Sequence, residues 1–154
     1  MPLSFDERQL LPEGIHDANL DDIRRVLSLT SRRQVLFENL KQYIESVRLT
    51  GWACEVLVDG SFAMPAVGMP NDIDIILVLP TNWDMNRRDF KLFEYNVLDG
   101  RHAKRSYKIE VFPVLPNSDR LVYFTTLFSQ VRVEHCRELN LPVESRKGLI
   151  RVVP

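Results

Sequence analysis

The stretch LVDGSFAMPAVGMPNDIDIILVLP, residues 57–80, carries the pattern from which the fold and the chemistry are predicted. It joins two apolar segments of strand length, the first followed by Gly60 and Ser61 and the second headed by Asp72 and Asp74. Residues two apart in an extended chain point to the same side, so both aspartates face one way while the intervening isoleucine faces the other. Two carboxylates therefore share a small volume at the start of an otherwise apolar strand.

Two explanations fit a pair of carboxylates at this position. Like charges this close raise a pKa or require a cation, and a hard divalent ion with oxygen ligands meets that requirement. Alternatively, Asp72 belongs to a turn after Pro70 and Asn71, and Asp74 is solvated at the strand end. The preceding Gly-Ser pair leaves a similar choice. A glycine lets the backbone approach a phosphate and a serine can donate its hydroxyl, or the two residues form a simple turn.

A third carboxylate lies on a later predicted strand. In SYKIEVFPV, residues 106–114, apolar side chains alternate with Lys108 and Glu110, which is the period of a strand. If this strand neighbours the one that Asp72 and Asp74 head, Glu110 lies beside them. The alternative is an exposed strand position where the glutamate pairs with a lysine.

The rest of the chain alternates between helical and strand patterns. Asn19 and the acidic residues after it suit the start of a helix, and apolar residues at helical spacing from Ser31 to Leu49 predict a long amphipathic helix. Further helices are predicted at 86–98, 118–131 and about 131–139, and strands at 54–59, 72–80, 106–114 and 148–153. This alternation predicts an α/β or α+β fold with a mostly covered sheet.

Length, charge and composition limit the classes of protein to consider. A chain of 154 residues suits a single domain, here residues 1–154 with an N-terminal arm at 1–18. The net charge of −1 argues against a protein that coats nucleic acid by bulk electrostatics. No apolar run approaches the roughly 18 residues of a membrane span, and no apolar signal segment follows the start. We therefore expect a cytoplasmic protein without a membrane partner.

These motifs occur in an order that resembles a known superfamily. A strand, Gly60-Ser61, Asp-Ile-Asp-Ile at 72–75 and Ile-Glu-Val at 109–111 resemble the signature of the DNA polymerase beta-type nucleotidyltransferases. The segments LPEGIHDANLDDIR, VDGSF, PNDIDIILVLP and KGLIRV resemble a small, poorly characterised bacterial family of nucleotidyltransferase-like proteins, over nearly the whole chain. The resemblance implies a minimal nucleotidyltransferase fold, with a twisted mixed sheet that carries the acids on one face and helices packed on the other.

The resemblance also implies a chemistry. Asp72 and Asp74 would bind two Mg²⁺ ions, and Glu110 would bind the ion on the acceptor side. Either Glu110 or metal activation alone would account for loss of the hydroxyl proton. Gly60 and Ser61 would hold the β and γ phosphates of a nucleoside triphosphate, with ATP the expected donor. The reaction would move a nucleoside monophosphate to a hydroxyl on an RNA end, a protein side chain or a small molecule.

One departure from the superfamily pattern concerns the triphosphate. Antitoxin-type and antibiotic-modifying members place an arginine soon after Gly-Ser, whereas residues 62–65 of this chain are Phe-Ala-Met-Pro. The basic segment between residues 87 and 108 is the substitute: we predict that Arg101, Lys104 or Arg105 binds the triphosphate or the backbone of an RNA acceptor. A solvated helix face and loop is the alternative.

A second hypothesis follows from the lack of an arginine after Gly60-Ser61. It follows also from the lack of the second, helical domain with which larger members of the superfamily select an acceptor. On this hypothesis the protein is a non-catalytic nucleotide-binding or regulatory module, such as one half of a toxin–antitoxin or defence pair. Lys147 and Arg151 are further candidates for the contact with phosphate. The sequence does not determine the acceptor, the base preference or the oligomeric state.

Overall fold

The computed structural model describes residues 3–154, which form a mixed, twisted five-stranded sheet and six α-helices. The strands are β1 (Ile15–Asp17), β2 (Glu55–Asp59), β3 (Ile73–Val78), β4 (Ile109–Val114) and β5 (Leu149–Val152). The helices are α1 (Leu20–Leu27), α2 (Ser31–Leu49), α3 (Leu92–Leu98), α4 (Gly100–Tyr107), α5 (Asp119–Phe128) and α6 (Val133–Glu138). The predicted α/β class is confirmed.

The strands lie in the order β1-β5-β2-β3-β4. β2 is antiparallel to both β5 and β3, whereas β4 runs parallel to β3 and β1 runs parallel to β5. The parallel step from β3 to β4 requires a crossover connection, and α3 and α4 supply it. The crossover brings Glu110 beside the strand that follows Asp72.

Side chains of alternate strand positions enter two apolar layers. On one face, buried residues such as Val58 and Ile75 pack against the apolar sides of α1, α2 and α4. On the other face, Leu57 and Ile76 pack against α5, whose Phe124 and Phe128 stack close to β4. The sequence analysis expected helices on one face of the sheet, and α5 adds partial cover to the acidic face. The ends of β2, β3 and β4 extend beyond this cover.

Local signals account for several helix boundaries. Asn19 is the predicted cap of α1: it accepts a hydrogen bond from the N–H of Asp22, whose carboxylate accepts in turn from the N–H of Asn19, which makes a capping box. α2 has the predicted bounds, Ser31–Leu49. None of the helices between residues 3 and 154 is long and apolar enough to cross a membrane.

Two parts of the chain correct the sequence analysis. The expected arm at 1–18 contains strand β1 and the buried Leu10 and Leu11, because this segment pairs with β5 and packs beneath it. Its residues 1 and 2 lie outside the described residues. The helix predicted at 86–98 begins at Leu92, while Phe90 packs among tryptophans instead.

Helix α4 was not predicted. Its sequence has a single buried residue, Ala103, so no apolar period indicates a helix there. Its start at Gly100 is set by Asp99, whose side chain accepts a hydrogen bond from the N–H of Arg101.

Candidate functional site

Three carboxylates form a row across one end of β2, β3 and β4. Asp59 on β2 is the register partner of Asp74 on β3, and Asp74 is the register partner of Glu110 on β4. Register partners point to the same face, with Cβ atoms about 5 Å apart. The structure therefore brings together Asp74 and Glu110, as the sequence predicted, and adds Asp59, which the sequence analysis did not select.

Asp72 joins the row through a lysine. Lys104 Nζ on α4 donates to Asp72 Oδ2 at 2.6 Å and to Glu110 Oε1 at 3.0 Å. These two carboxylates raise the pKa of Lys104. All three side chains are partly exposed, so each ion pair contributes little to stability, but together they place a positive charge between the two carboxylates.

The electrostatic environment differs along the row. Burial raises the pKa of Asp74 to about 7, and a hydrogen bond with Glu110 and the charges of Asp72 and Asp59 act in the same direction. The pKa of Glu110 is lowered, chiefly by its hydrogen bond from Lys104. Crowded carboxylates of this kind favour the binding of a further cation.

The donor set fits a divalent cation in its chemistry. Asp72, Asp74 and Glu110 offer hard oxygen ligands from adjacent strands, as Mg²⁺ prefers. Within residues 3–154, however, no group of three acidic, histidine or cysteine side chains is already arranged around one point as metal ligands. The ammonium of Lys104 lies between two of the carboxylates, so the ligands would have to exchange it for the metal.

Gly60 is required by its contact with Asp74. Its φ of +80° is unfavourable for other residues, and a Cβ at this position would lie 2.6 Å from Asp74 Oδ2. Ser61 follows at the start of a single 3₁₀ turn. Gly60, Ser61, Asp72 and Asp74 all line one cavity of about 280 Å³. The predicted phosphate-binding pair therefore shares one cavity with two of the three predicted metal ligands, whereas Glu110 is not among the residues that line it.

Arg33 of α2 positions the loop that contains Ser61, and the sequence analysis missed it. The side chain is 1% exposed, and its guanidinium donates only to backbone carbonyls. These belong to Leu27, Ser61, Phe62, Met64 and Val67. Burial lowers its pKa to about 10, which leaves it charged at neutral pH.

A second arginine acts on the next part of the same loop. Arg32 donates to the carbonyls of Pro70 and Asn71, directly before Asp72. Two arginines in the first turn of a helix oppose its dipole, and this local conflict was the signal in the sequence for a role outside the helix. Arg32 and Arg33 thus hold both ends of the loop that separates Gly60 from Asp72.

The base of the cavity contains a buried ion pair. Lys147 Nζ donates to Asp59 Oδ1 and to the carbonyl of Phe128, and the two charged residues are 3% and 0% exposed. Asp59 Oδ2 has no hydrogen-bond partner in the described part of the chain. Burial raises the pKa of Asp59, and the charge of Lys147 opposes that effect. Lys147, expected as a phosphate ligand, is therefore committed to Asp59.

Arg132, in the connection between α5 and α6, is the cationic residue of this cavity that sequence reasoning did not identify. It is exposed, lines the cavity with Gly60 and Ser61, and forms no ion pair with any residue from 3 to 154. Its charge partly opposes the rise that burial causes in the pKa of Asp59, and it adds to the lowering of the pKa of Glu110 by Lys104.

The predicted basic residues take different positions. Lys104 reaches the carboxylates, whereas Arg101 and Arg105 are exposed on α4 and are not among the residues that line the cavity. Arg151 lies on β5, away from the carboxylate row, where it pairs with Asp17 and with Glu55.

The comparisons with known proteins identify a family but no activity. Comparison with curated proteins and with solved structures gave no match. A family model described as "Family of unknown function (DUF6932)" matches residues 3–153, so the chain belongs to that family. The resemblance to nucleotidyltransferases stays a prediction.

Proposed function

We propose that this member of the DUF6932 family is a Mg²⁺-dependent nucleotidyltransferase that moves a nucleoside monophosphate from a nucleoside triphosphate, with ATP the expected donor, to a hydroxyl acceptor. A new bond forms between the acceptor oxygen and the α-phosphorus, the bond to the pyrophosphate oxygen breaks, and the hydroxyl loses its proton. The observation that carries the proposal is that Asp72 and Asp74 line the cavity of Gly60 and Ser61 while Glu110 lies beside them, as the register partner of Asp74 and joined to Asp72 through Lys104.

The carboxylates have two tasks in this reaction. Asp72, Asp74 and Glu110 would hold Mg²⁺, which when bound activates the hydroxyl and neutralises phosphate charge. Glu110 is also suited to accept the hydroxyl proton, because its lowered pKa keeps it ionised at neutral pH. Its position on β4, the outermost strand on that side, leaves room for an acceptor next to it.

The residues proposed to hold the triphosphate line the same cavity as Asp72 and Asp74. Ser61 can donate its hydroxyl, and Gly60 allows close approach of the backbone. Arg132 supplies the guanidinium that the segment after Gly60-Ser61 lacks, and its side chain has no competing carboxylate in the described structure. Because Asp59 already has Lys147 as its counter-ion, it need not bind a metal.

A second candidate function is supported by Lys104. Its ammonium already neutralises Asp72 and Glu110. A module that binds a nucleotide or a partner without turnover, as one half of a toxin–antitoxin or defence pair, would keep this arrangement permanently. An enzyme would exchange it for Mg²⁺, so the two hypotheses differ in whether Lys104 is displaced.

The decisive experiment measures transfer of label from each α-³²P nucleoside triphosphate, with Mg²⁺, to total RNA and to cell lysate. The test variant is Asp72→Asn with Asp74→Asn, and the matched control is Asp84→Asn with Asp119→Asn, which removes two carboxylates from other parts of the chain. Transfer by the wild type and the control, and its loss in the test variant, support the enzyme. Equal signals from all three proteins, or none with any acceptor, would overturn it.

A further inference from the structure

Helix α4 presents a continuous stripe of positive charge. Arg101, Lys104 and Arg105 are spaced so that all three lie within about 100° of one another around the helix axis, and Lys108 follows them as the left-handed C-cap residue, with a φ of +56°. Ala103, the one buried residue of α4, points away from them into the core. The basic stripe is therefore the exposed side of a helix whose other side is anchored to the protein.

Most of this charge is not neutralised within the protein. Among residues 3–154, Lys104 pairs with Asp72 and Glu110, whereas Arg101, Arg105 and Lys108 form no ion pair. The whole chain has a net charge of −1, so the stripe is a local feature and not part of a generally basic surface. Unpaired cations collected on one side of a helix are suited to an anionic partner.

The stripe borders the acceptor side of the site. Lys104 reaches Glu110 on β4, and the carbonyl of Lys108 accepts a hydrogen bond from the N–H of Ile73, next to Asp72. The cavity with Gly60 and Ser61 lies toward β2, at the other end of the carboxylate row. A donor in that cavity and an acceptor along the stripe would meet at the carboxylates without overlapping.

We propose that the basic stripe binds the sugar–phosphate backbone of a single-stranded nucleic acid whose terminal hydroxyl is the acceptor. The role of this hydroxyl as acceptor rests on the proposed function, whereas the binding of the strand does not. From Arg101 in the helix to Lys108 at its C-cap the stripe spans about 10 Å, which corresponds to about three phosphates of one strand. That is too little for the larger interfaces by which proteins hold duplexes. It is enough to orient the end of a single strand.

Arginine binds both carboxylates and phosphates, so the two arginines of the stripe do not by themselves distinguish a nucleic acid from an acidic protein. Contact with several successive phosphates is what would make the distinction. The salt dependence of binding measures this number directly, because each phosphate contact on a single strand contributes about 0.7 to the slope of log K against log salt concentration. An acidic polypeptide is therefore an outcome of the test and not part of the proposal.

The test measures binding by the fluorescence anisotropy of fluorescein-labelled 12-nucleotide RNA and DNA of the same sequence. The measurements are made without nucleoside triphosphate, at several KCl concentrations. The test variant is R101Q/R105Q/K108Q, which leaves Lys104 in place. The control R8Q/K41Q/R137Q removes three exposed cations that also lack ion pairs in the described structure. Far-UV circular dichroism checks that both variants fold.

We expect the wild type and the control to bind with similar affinity, and the test variant to bind about tenfold or more weakly with a slope smaller by about 2. Binding of either RNA or DNA supports the proposal, and preference between them identifies the strand. Equal binding by the test variant, no binding by the wild type, or equal displacement of the strand by polyglutamate would overturn it. Binding without label transfer would overturn the proposed reaction alone, and transfer with unchanged binding would overturn the stripe alone.

Discussion

Asp74 and Glu110 lie opposite each other on neighbouring parallel strands, although a loop and two helices separate them in the chain. Their pKa values move in opposite directions: burial raises that of Asp74 to about 7, whereas the hydrogen bond from Lys104 lowers that of Glu110. Of this register pair, Asp74 is therefore the carboxylate that holds a proton more readily, and Glu110 is the one that remains ionised. The first prediction concerns the ionised member.

Replacing Glu110 by glutamine is expected to lower the rate of nucleotidyl transfer by about 100-fold or more, because the side chain would lose its charge as a metal ligand and its ability to accept a proton. Initial rates of label transfer at saturating triphosphate measure the effect. Glu55→Gln, at the other end of β2, is the matched control and should keep wild-type rates. An E110Q rate within about threefold of wild type would contradict the role of Glu110.

Replacing Lys104 by methionine is expected to strengthen Mg²⁺ binding by up to roughly tenfold, since Asp72 and Glu110 would no longer be shared with an ammonium group. Thermal unfolding with and without MgCl₂ measures this change through the ligand-induced shift in Tm. The shift should be larger in K104M than in wild type and unchanged in R105M, one residue away. A smaller shift in K104M than in wild type would show that Lys104 and the metal do not compete.

Replacing Gly60 by alanine is expected to move Asp74 and to abolish most of the transfer activity. The new methyl group would lie 2.6 Å from Asp74 Oδ2, and the φ of +80° adds strain of about 1 kcal/mol or more. Gly68→Ala is the control, because a Cβ there meets nothing within 4 Å. Transfer rates and denaturant unfolding of both variants test this, and equal behaviour of the two would contradict the close contact.

Replacing Arg33 by methionine is expected to lower the free energy of unfolding by about 3 kcal/mol or more, because several buried carbonyls would lose their donor. The loop 61–67 should also become accessible to proteolysis. Urea unfolding and limited proteolysis measure the two effects, with Arg24→Met, on the exposed side of α1, as control. Unchanged cleavage in the loop would show that Arg33 does not position it.

Replacing Lys147 by methionine is expected to destabilise the protein by about 3–5 kcal/mol, because Asp59 would remain buried without a counter-ion. The double variant D59N/K147M should recover a large part of that loss. A double-mutant cycle in urea measures the coupling. If the double variant is no more stable than K147M alone, the cost of the lysine substitution comes from packing and not from the unpaired, buried charge of Asp59.

Much of the fold follows from local pattern. Short apolar runs predicted β2, β3 and β5, alternation of apolar and polar residues predicted β4, and helical spacing with caps predicted α1, α2 and α5, since these signals depend only on neighbours along the chain. The same signals failed for α4, where Ala103 is the one buried residue, and for β1, whose pairing partner β5 lies at the other end of the chain. Such elements are formed by contacts that no local window contains.

The sequence by itself determined which residue types the site has available: it showed Asp72 and Asp74 two positions apart at the head of a predicted strand, Gly60-Ser61 before that strand and Glu110 on a later one. Only the tertiary structure decided which groups meet. It placed Asp59 beside Asp74, brought Lys104 between two carboxylates, committed Lys147 to Asp59, and put Arg132 in the cavity. The physical reason is that strand order and side-chain reach set the electrostatic partner of each charge, and both depend on how distant segments pack.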